Sequence, residues 1–371
     1  FSTLCLLFSI TNLNYKFLFY IFLIFGFFNF IIELVKNKKN FLNFFFLLFI
    51  ILNLLIYFEV ASLLTLQWDG LATWSMKMNN FYFGQSYENL SNITYPHQPH
   101  LGPYIWAVFY DNSVLKYEYF GRFFYVFVFL TSVFNLKSNF KENINYYLTT
   151  LLFLLIVFLS YDPYLFGGYQ EYLVFSLILF IGNFLYKIFN DNKINNYQVI
   201  LFTLILNLTL WTKQECFVYI FILQFIFIFL KQPSIFQKLI SSFLFIIILL
   251  IKLEYSFVNF LSDPHFNFKE ILLFDYKLII YKLIFITKHI LIVFFKYPIW
   301  LLIILSYFVI IFNRGSNDSF LKIINLFAIL NLGLIYFVFL TTISGFEYMV
   351  KTVLDRMIFQ TTGFYILIII M

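Results

Sequence analysis

Charge is the scarcest property of this sequence. Asp, Glu, Lys and Arg make up 11% of its 371 residues, whereas 62% are hydrophobic and the mean hydropathy is +0.88. Soluble domains carry about a quarter charged residues, so a water-soluble globule is excluded and the chain reads as an integral membrane protein. Cysteine is nearly missing as well. Cys5 and Cys216 lie in or beside apolar runs, which excludes a disulfide framework or a multi-cysteine metal centre and leaves two small buried hydrophobes. Gly and Pro are sparse, at 12 and 7 residues. There is no Gly-rich phosphate loop and no Gly-x-Ser-x-Gly turn. No flexible linker, no internal repeat and no polar stretch long enough for a soluble domain interrupts the chain, so residues 1–371 read as one transmembrane domain.

What is abundant is Phe, with 58 residues. The excess of Phe, Ile, Leu, Tyr, Asn and Lys over Ala and Gly matches the residue usage of an AT-rich genome and carries no mechanistic weight. The net charge of +6 does not point to nucleic acid, because Lys and Arg fall in short connections between apolar runs, where cytoplasmic loops hold them. Membrane lipids are the expected surroundings.

Those connections thread the chain. Tyr15–Val35 is the first complete span, and the Lys36, Lys38, Lys39 cluster puts the following loop inside. Phe41–Leu64 crosses outward, Phe120–Leu136 inward, Tyr146–Ser160 outward, Tyr172–Tyr186 inward, Val199–Trp211 outward, Phe217–Leu230 inward and Leu239–Leu253 outward. Lys277–Phe295 carries Lys277, Lys282 and Lys288, with Lys296 next, all costly at mid-bilayer, so it is expected to lie along the outer interface. Pro298–Phe312 then runs inward, Leu321–Thr341 outward and Met357–Met371 inward. The expected fold class is all-α, a polytopic bundle of about ten or eleven transmembrane helices, each needing about 20 residues to span, with interfacial helices in the outer loops. Phe1–Ile10 and Met357–Met371 are each shorter than a span, so further helices are expected at either end.

The longest polar interval, Gln67–Pro103, follows the first outward crossing. Asp69 stands at the helix mouth between Trp68 and Trp74. Leu71, Trp74, Met78 and Phe81 recur at helical spacing, which predicts an amphipathic interfacial helix that includes Lys77. Tyr95-Pro96-His97 and Gln98-Pro99 break that pattern, and a second interfacial helix is expected over Leu101–Tyr110. Further along, Trp211-Thr-Lys213-Gln-Glu215 closes an outward run, and Asp355-Arg356 precedes the last apolar run. Glu171 is one of two carboxylates in the short second outer loop.

The Asp69 loop, with Trp74, Lys77 and Tyr95-Pro96-His97, resembles the first outer loop of GT-C glycosyltransferases. The nearest branch is that of dolichyl-phosphate-mannose protein mannosyltransferases and lipid A aminoarabinose transferases. Lys213-Gln-Glu215 resembles the Lys-x-Glu-Gly turn of bacterial relatives, with Cys216 in place of Gly, and Asp355-Arg356 resembles the Asp-Arg element before a late helix. The resemblance implies a GT-C-like bundle with its active site in outer loop 67–118. It also implies a polyprenyl-phosphate sugar donor and a lipid, glycan or protein acceptor, with Asp69 as catalytic base and Lys77, His97, Lys213, Glu215 and Arg356 as substrate-binding residues. The implied setting is a bacterial inner membrane with the site facing the periplasm. No cofactor is expected. A metal on His97, His100 and Asp69 is the weaker reading, because Pro99 disturbs helical facing and zinc sites show a clearer ligand set. Asn89-Leu-Ser91 and Asn92-Ile-Thr94 fit the glycosylation pattern and are read as incidental in an Asn-rich chain. An O-antigen polymerase or ligase-like enzyme and a lipid or glycan transporter are the alternatives.

Overall fold

The computed structural model describes residues 20–21, 24, 26, 28, 32, 44–62, 66–83, 98–111, 117–139, 147, 151, 167–190, 194–258, 276–314, 319–342 and 345–371. The expected spans Tyr15–Val35 and Tyr146–Ser160 lie largely outside these residues, and His97 lies outside them altogether. In chain order the helices are α1 (Phe44–Ser62), α2 (Met76–Tyr82, entered through a π-helical turn, Gly70–Ser75), α3 (Leu101–Asp111), α4 (Tyr119–Asn135), α5 (Glu171–Asn190), α6 (Asn196–Leu210), α7 (Cys216–Phe229), α8 (Ile235–Val258), α9 (Tyr276–Lys296), α10 (Pro298–Arg314), α11 (Ser319–Leu340), α12 (Phe346–Tyr365) and α13 (Leu367–Ile370). Apolar runs without internal proline become helices here because a backbone in hydrocarbon must satisfy its own hydrogen bonds. Polar punctuation fixes where they begin: Asn195 accepts from the Gln198 amide while the Gln198 side chain accepts from the Asn195 amide, a capping box that starts α6.

The fold is that of an all-α polytopic membrane protein. Among the described residues, six helices are long and apolar enough to cross a bilayer: Phe44–Ser62, Glu171–Asn190, Ile235–Leu253, Tyr276–Lys296, Ser319–Leu340 and Phe346–Ile370. Four shorter apolar helices accompany them. Burial ranks them. In α5 and in Phe346–Ile370, 78% and 72% of the apolar window is inside the protein, against 22% in α1, so α5 and α12 form the central pair and α1 faces lipid.

Those two helices run in the same direction with their backbones in close approach. A Cβ on Gly363 would come within 2.6 Å of the Phe175 carbonyl oxygen and 2.9 Å of the Leu179 amide nitrogen, so only glycine permits the contact. Phe175 and Phe359 stack one turn nearer the Glu171 end, at 4.9 Å between centroids. The same register, taken one more turn outward, sets Arg356 against Glu171. α4 covers α5 through Phe129 and Tyr172, and α1 packs on α4 through Phe49 and Phe134. α11 lies on α12 through Asn331, which donates to Thr361 Oγ1 and Tyr365 Oη.

Length and composition alone would make α9 a span, but its contacts place it along one end of the bundle. Near its start, Lys282 donates to the Leu340 and Thr342 carbonyls and Tyr281 donates to Glu347. Just beyond its other end, Tyr297 donates to Asp355, the neighbour of Arg356. A helix of this length measures about 30 Å, and a crossing would put its ends on opposite faces. Instead both meet segments on the side of the bundle that holds Asp69 and Glu171. One stripe, Lys282, Ile286, Ile290 and Val293, is buried, and the opposite side exposes Ile284, Leu291, Ile292 and Phe295.

Two expectations are corrected here. Leu101–Tyr110 forms α3, yet Leu101 through Val108 are all buried, because α2 and α4 cover it from both sides through Phe81 on Tyr104 and Phe124 on Phe109. It is an internal helix of the outer loop and not one floating at the interface. Asp355-Arg356 is not a pre-helical turn, since the helix already begins at Phe346 and no breaker intervenes before Tyr365.

Candidate active site

Asp69 reaches the centre of the molecule through a joint made almost entirely of backbone. The segment around Gln67 lies on Gly167 and Gly168, with the Gln67 amide donating to the Gly167 carbonyl at 3.1 Å. Gly168 has φ +91°, a left-handed conformation suited to glycine, and a Cβ on Gly70 would collide with the Gly167 carbonyl. Glu171 begins α5 three residues beyond Gly168, so closing this joint puts the two carboxylates on either side of one guanidinium.

That guanidinium is Arg356. Its Nη2 lies 2.5 Å from Asp69 Oδ2 and 2.5 Å from Glu171 Oε1, and its Nε donates to the same Glu171 oxygen at 2.7 Å. Tyr169 stacks its ring 4.6 Å from the guanidinium carbon. Lys213 donates to Glu171 Oε1 at 2.8 Å and lies 3.5 Å from Glu215. The five residues alternate in sign, Asp69, Arg356, Glu171, Lys213, Glu215, and three carboxylates against two cations leave one negative charge in excess. Exposure falls along the chain of contacts from 30% at Asp69 and 22% at Arg356 to 1% at Glu171 and 5% at Lys213. Asp69 and Arg356 thus line the accessible edge and Glu171 anchors the interior.

Burial lowers the Lys213 ammonium's pKa, but the Glu171 and Glu215 carboxylates outweigh it and hold it above the ordinary lysine value. Burial and the Asp69 charge push the Tyr169 phenol above its usual value. Lys213 and Glu215 are therefore more than a surface pair at a helix end: Lys213 is buried and its shortest contact is with Glu171.

Lys77 is fully buried and belongs to a neighbouring group. Its ammonium donates to the Gln98 carbonyl at 2.9 Å and lies 5.3 Å from the Trp74 ring. The loop that supplies Gln98 is tied to the Lys213 turn, since the Leu101 amide donates to the Trp211 carbonyl at 3.0 Å. His100, also buried, meets the edge of Phe81. Among the described residues no three of His, Cys, Asp and Glu converge as metal ligands.

The structure brings together Asp69, Lys213, Glu215 and Arg356, four of the six residues singled out from sequence. It sets Lys77 beside them on the same outer loop and leaves His97 undescribed. It adds Glu171, whose signal was in the sequence: a carboxylate opening an apolar run directly after Gly167-Gly168, where an ionisable group in a membrane helix is a functional candidate by default. No protein-family model matches this chain, and neither a curated protein nor a solved structure does.

Proposed function

We propose that this protein is a membrane glycosyltransferase that moves a sugar from a polyprenyl-phosphate donor to a lipid, glycan or protein hydroxyl, at a site on the non-cytoplasmic face of a bacterial inner membrane. The observation that carries the reading is the convergence of Asp69, Glu171 and Lys213, at or beside helix ends, on Arg356 within α12. Buried ionisable groups in membrane helices cost free energy and mark a working site. Transporter sites lie near the bilayer midplane on interrupted helices, whereas Asp69, Glu171 and Lys213 stand at or beside helix ends and meet Arg356 on an uninterrupted helix, which favours transfer chemistry over transport.

The reaction is one inverting displacement. The acceptor oxygen attacks the anomeric carbon, the bond from that carbon to the phosphate oxygen breaks, and the electron pair leaves with polyprenyl phosphate. Asp69 takes the acceptor proton; assistance of this kind is worth about 10²–10⁴-fold. Its Oδ2 is held by Arg356, which leaves Oδ1 to face the acceptor hydroxyl. Arg356, at the open edge of the cluster, meets the developing phosphate charge. Glu171 and Lys213 hold Arg356 in place, with Glu215 fixing Lys213. Lys77 and His97 complete the substrate contacts on the outer loop.

The test uses purified protein in lipid nanodiscs with a polyprenyl-phosphate-linked radiolabelled sugar and an extracted membrane acceptor fraction. Transfer without added nucleotide sugar supports the reading. Transfer from a nucleotide sugar in lipid-donor-free protein contradicts it, as does donor translocation across the bilayer without bond cleavage.

A further inference from the structure

The outer surface of α9 takes no part in the chemistry of the Asp69 cluster. Its buried stripe, Lys282, Ile286, Ile290 and Val293, faces the protein, and an open groove of about 880 Å³ runs along the opposite side. Ile284, Leu291, Ile292 and Phe295 line that groove together with Lys288 and Lys296, and all six are exposed. Thr287, also on the groove wall, meets the Tyr336 hydroxyl of α11 at 2.7 Å. The groove therefore adjoins the side of α11 on which Ile329 and Phe337 are exposed.

Neither water nor hydrocarbon suits this face. Two ammonium groups would be costly in the bilayer core, and four large apolar side chains would stay unburied in water. The headgroup zone accommodates both, with the apolar side chains in the acyl boundary and the lysines among the phosphates. The contacts at the two ends of α9 agree, since both lie on the side of the bundle that holds Asp69 and Glu171. The face is also basic. α9 contains no Asp or Glu, and the α12 carboxylates that reach it are engaged elsewhere, Glu347 by Tyr281 and Lys351 and Asp355 by Tyr297 and the Arg356 amide.

We propose that this groove is a binding site for an anionic phospholipid, with Lys288 and Lys296 on its phosphate and an acyl chain along Ile284, Leu291 and Phe295. The two lysines stand eight residues apart, about 12 Å along the axis, and their long stems let the ammonium groups hold one headgroup from two sides. A zwitterionic headgroup brings a cation of its own beside them, so net charge selects the anionic class. An acyl chain that leaves the groove continues over the exposed apolar side of α11. The occupant is a resident lipid and not the sugar donor, because the groove faces away from Asp69 and Arg356 across the roughly 10 Å thickness of α9. Such a lipid fills the groove whether or not the Asp69 cluster transfers sugar.

The experiment measures retained lipid. Purified protein is reconstituted in nanodiscs holding equal amounts of phosphatidylglycerol and phosphatidylcholine, transferred to detergent, and the lipid that stays bound is quantified by mass spectrometry. Wild type retains phosphatidylglycerol over phosphatidylcholine; equal retention overturns the site without any variant. The preference falls about fivefold in Lys288→Gln and in Lys296→Gln, and further in the double variant. A control double variant, Lys231→Gln with Lys322→Gln, removes the same charge beyond the end of α7 and at the start of α11 and keeps the preference. An unaltered preference in the Lys288, Lys296 double variant, folded by thermal unfolding, overturns the proposal, as does an equal loss in the control. Tighter retention of a short-chain prenyl monophosphate than of phosphatidylglycerol, lost in the same double variant, would assign the groove to the donor and overturn the phospholipid site.

Discussion

Arg356 and Glu171 meet through two contacts to one oxygen: Nε at 2.7 Å and Nη2 at 2.5 Å, both to Oε1. Lys213 donates to that same oxygen, while Oε2, also buried, has no hydrogen-bond partner among the described residues. Glu171 is thus the hub on which two cations from α12 and the α6–α7 turn are assembled, and Arg356 links it to Asp69.

Removing the hub isolates both cations. Glu171→Gln keeps size and one carbonyl acceptor but leaves Lys213 and Arg356 short of charge, and breaking a buried pair costs about 3–5 kcal/mol. Thermal or denaturant unfolding in detergent should show a loss of that order. The double variant Glu171→Gln, Lys213→Met should lose less than the two single losses combined, because Lys213 no longer needs its partner. Additive losses would mean that the contact contributes little.

The pH dependence of stability separates Lys77 from Lys213. Lys77 has a folded pKa below its unfolded value, so between those values the unfolded chain binds more protons and stability rises with pH, up to about pH 10.5. Lys213 has a folded pKa above its unfolded value; its contribution is complete below about pH 10.5 and is lost above it. Unfolding free energy measured across the alkaline range should rise and then fall. The rising limb should weaken in Lys77→Met, and the falling limb should weaken in Lys213→Met. A rising limb unaltered in Lys77→Met contradicts the assignment.

Topology follows from the contacts of α9. Reporter fusions after Gly84, Gly168 and Gly345 should all read as non-cytoplasmic. A cytoplasmic result at Gly345 alone would mean that α9 crosses the bilayer. That result is incompatible with Tyr297 meeting Asp355 beside the Asp69 cluster.

The all-helical membrane fold was legible in the sequence because hydropathy and Lys placement report directly on the bilayer. Asp69, Lys213, Glu215 and Arg356 were legible as charged residues at or near the ends of apolar runs. Their pairing was not, since it depends on the register of α5 against α12, fixed by a backbone contact at Gly363 that no periodicity reveals. Glu171 was missed because it sits at the end of a span, where a charge reads as the boundary of the helix and not as part of its core. Burial alone tells the two cases apart, and burial is a property of packing. Arg356 was placed before a helix when it lies inside one, because Glu347, Lys351 and Asp355 make the first half of α12 look like a loop. Those three residues instead lie outside the central core of the bundle, with Glu347 and Lys351 exposed.

The most direct test of the central claim is turnover by Asp69→Asn in correctly inserted protein at matched expression. Asp69 is partly exposed and its pairing with Arg356 contributes little to stability, about 1 kcal/mol or less, so folding and prenyl phosphate binding should persist. Sugar transfer from the polyprenyl-phosphate donor should fall by about 10²-fold or more as the proton acceptor is removed. Arg356→Ala should weaken donor binding as well as turnover, since it meets the phosphate in both ground and transition states. Near-normal transfer by Asp69→Asn would contradict the account.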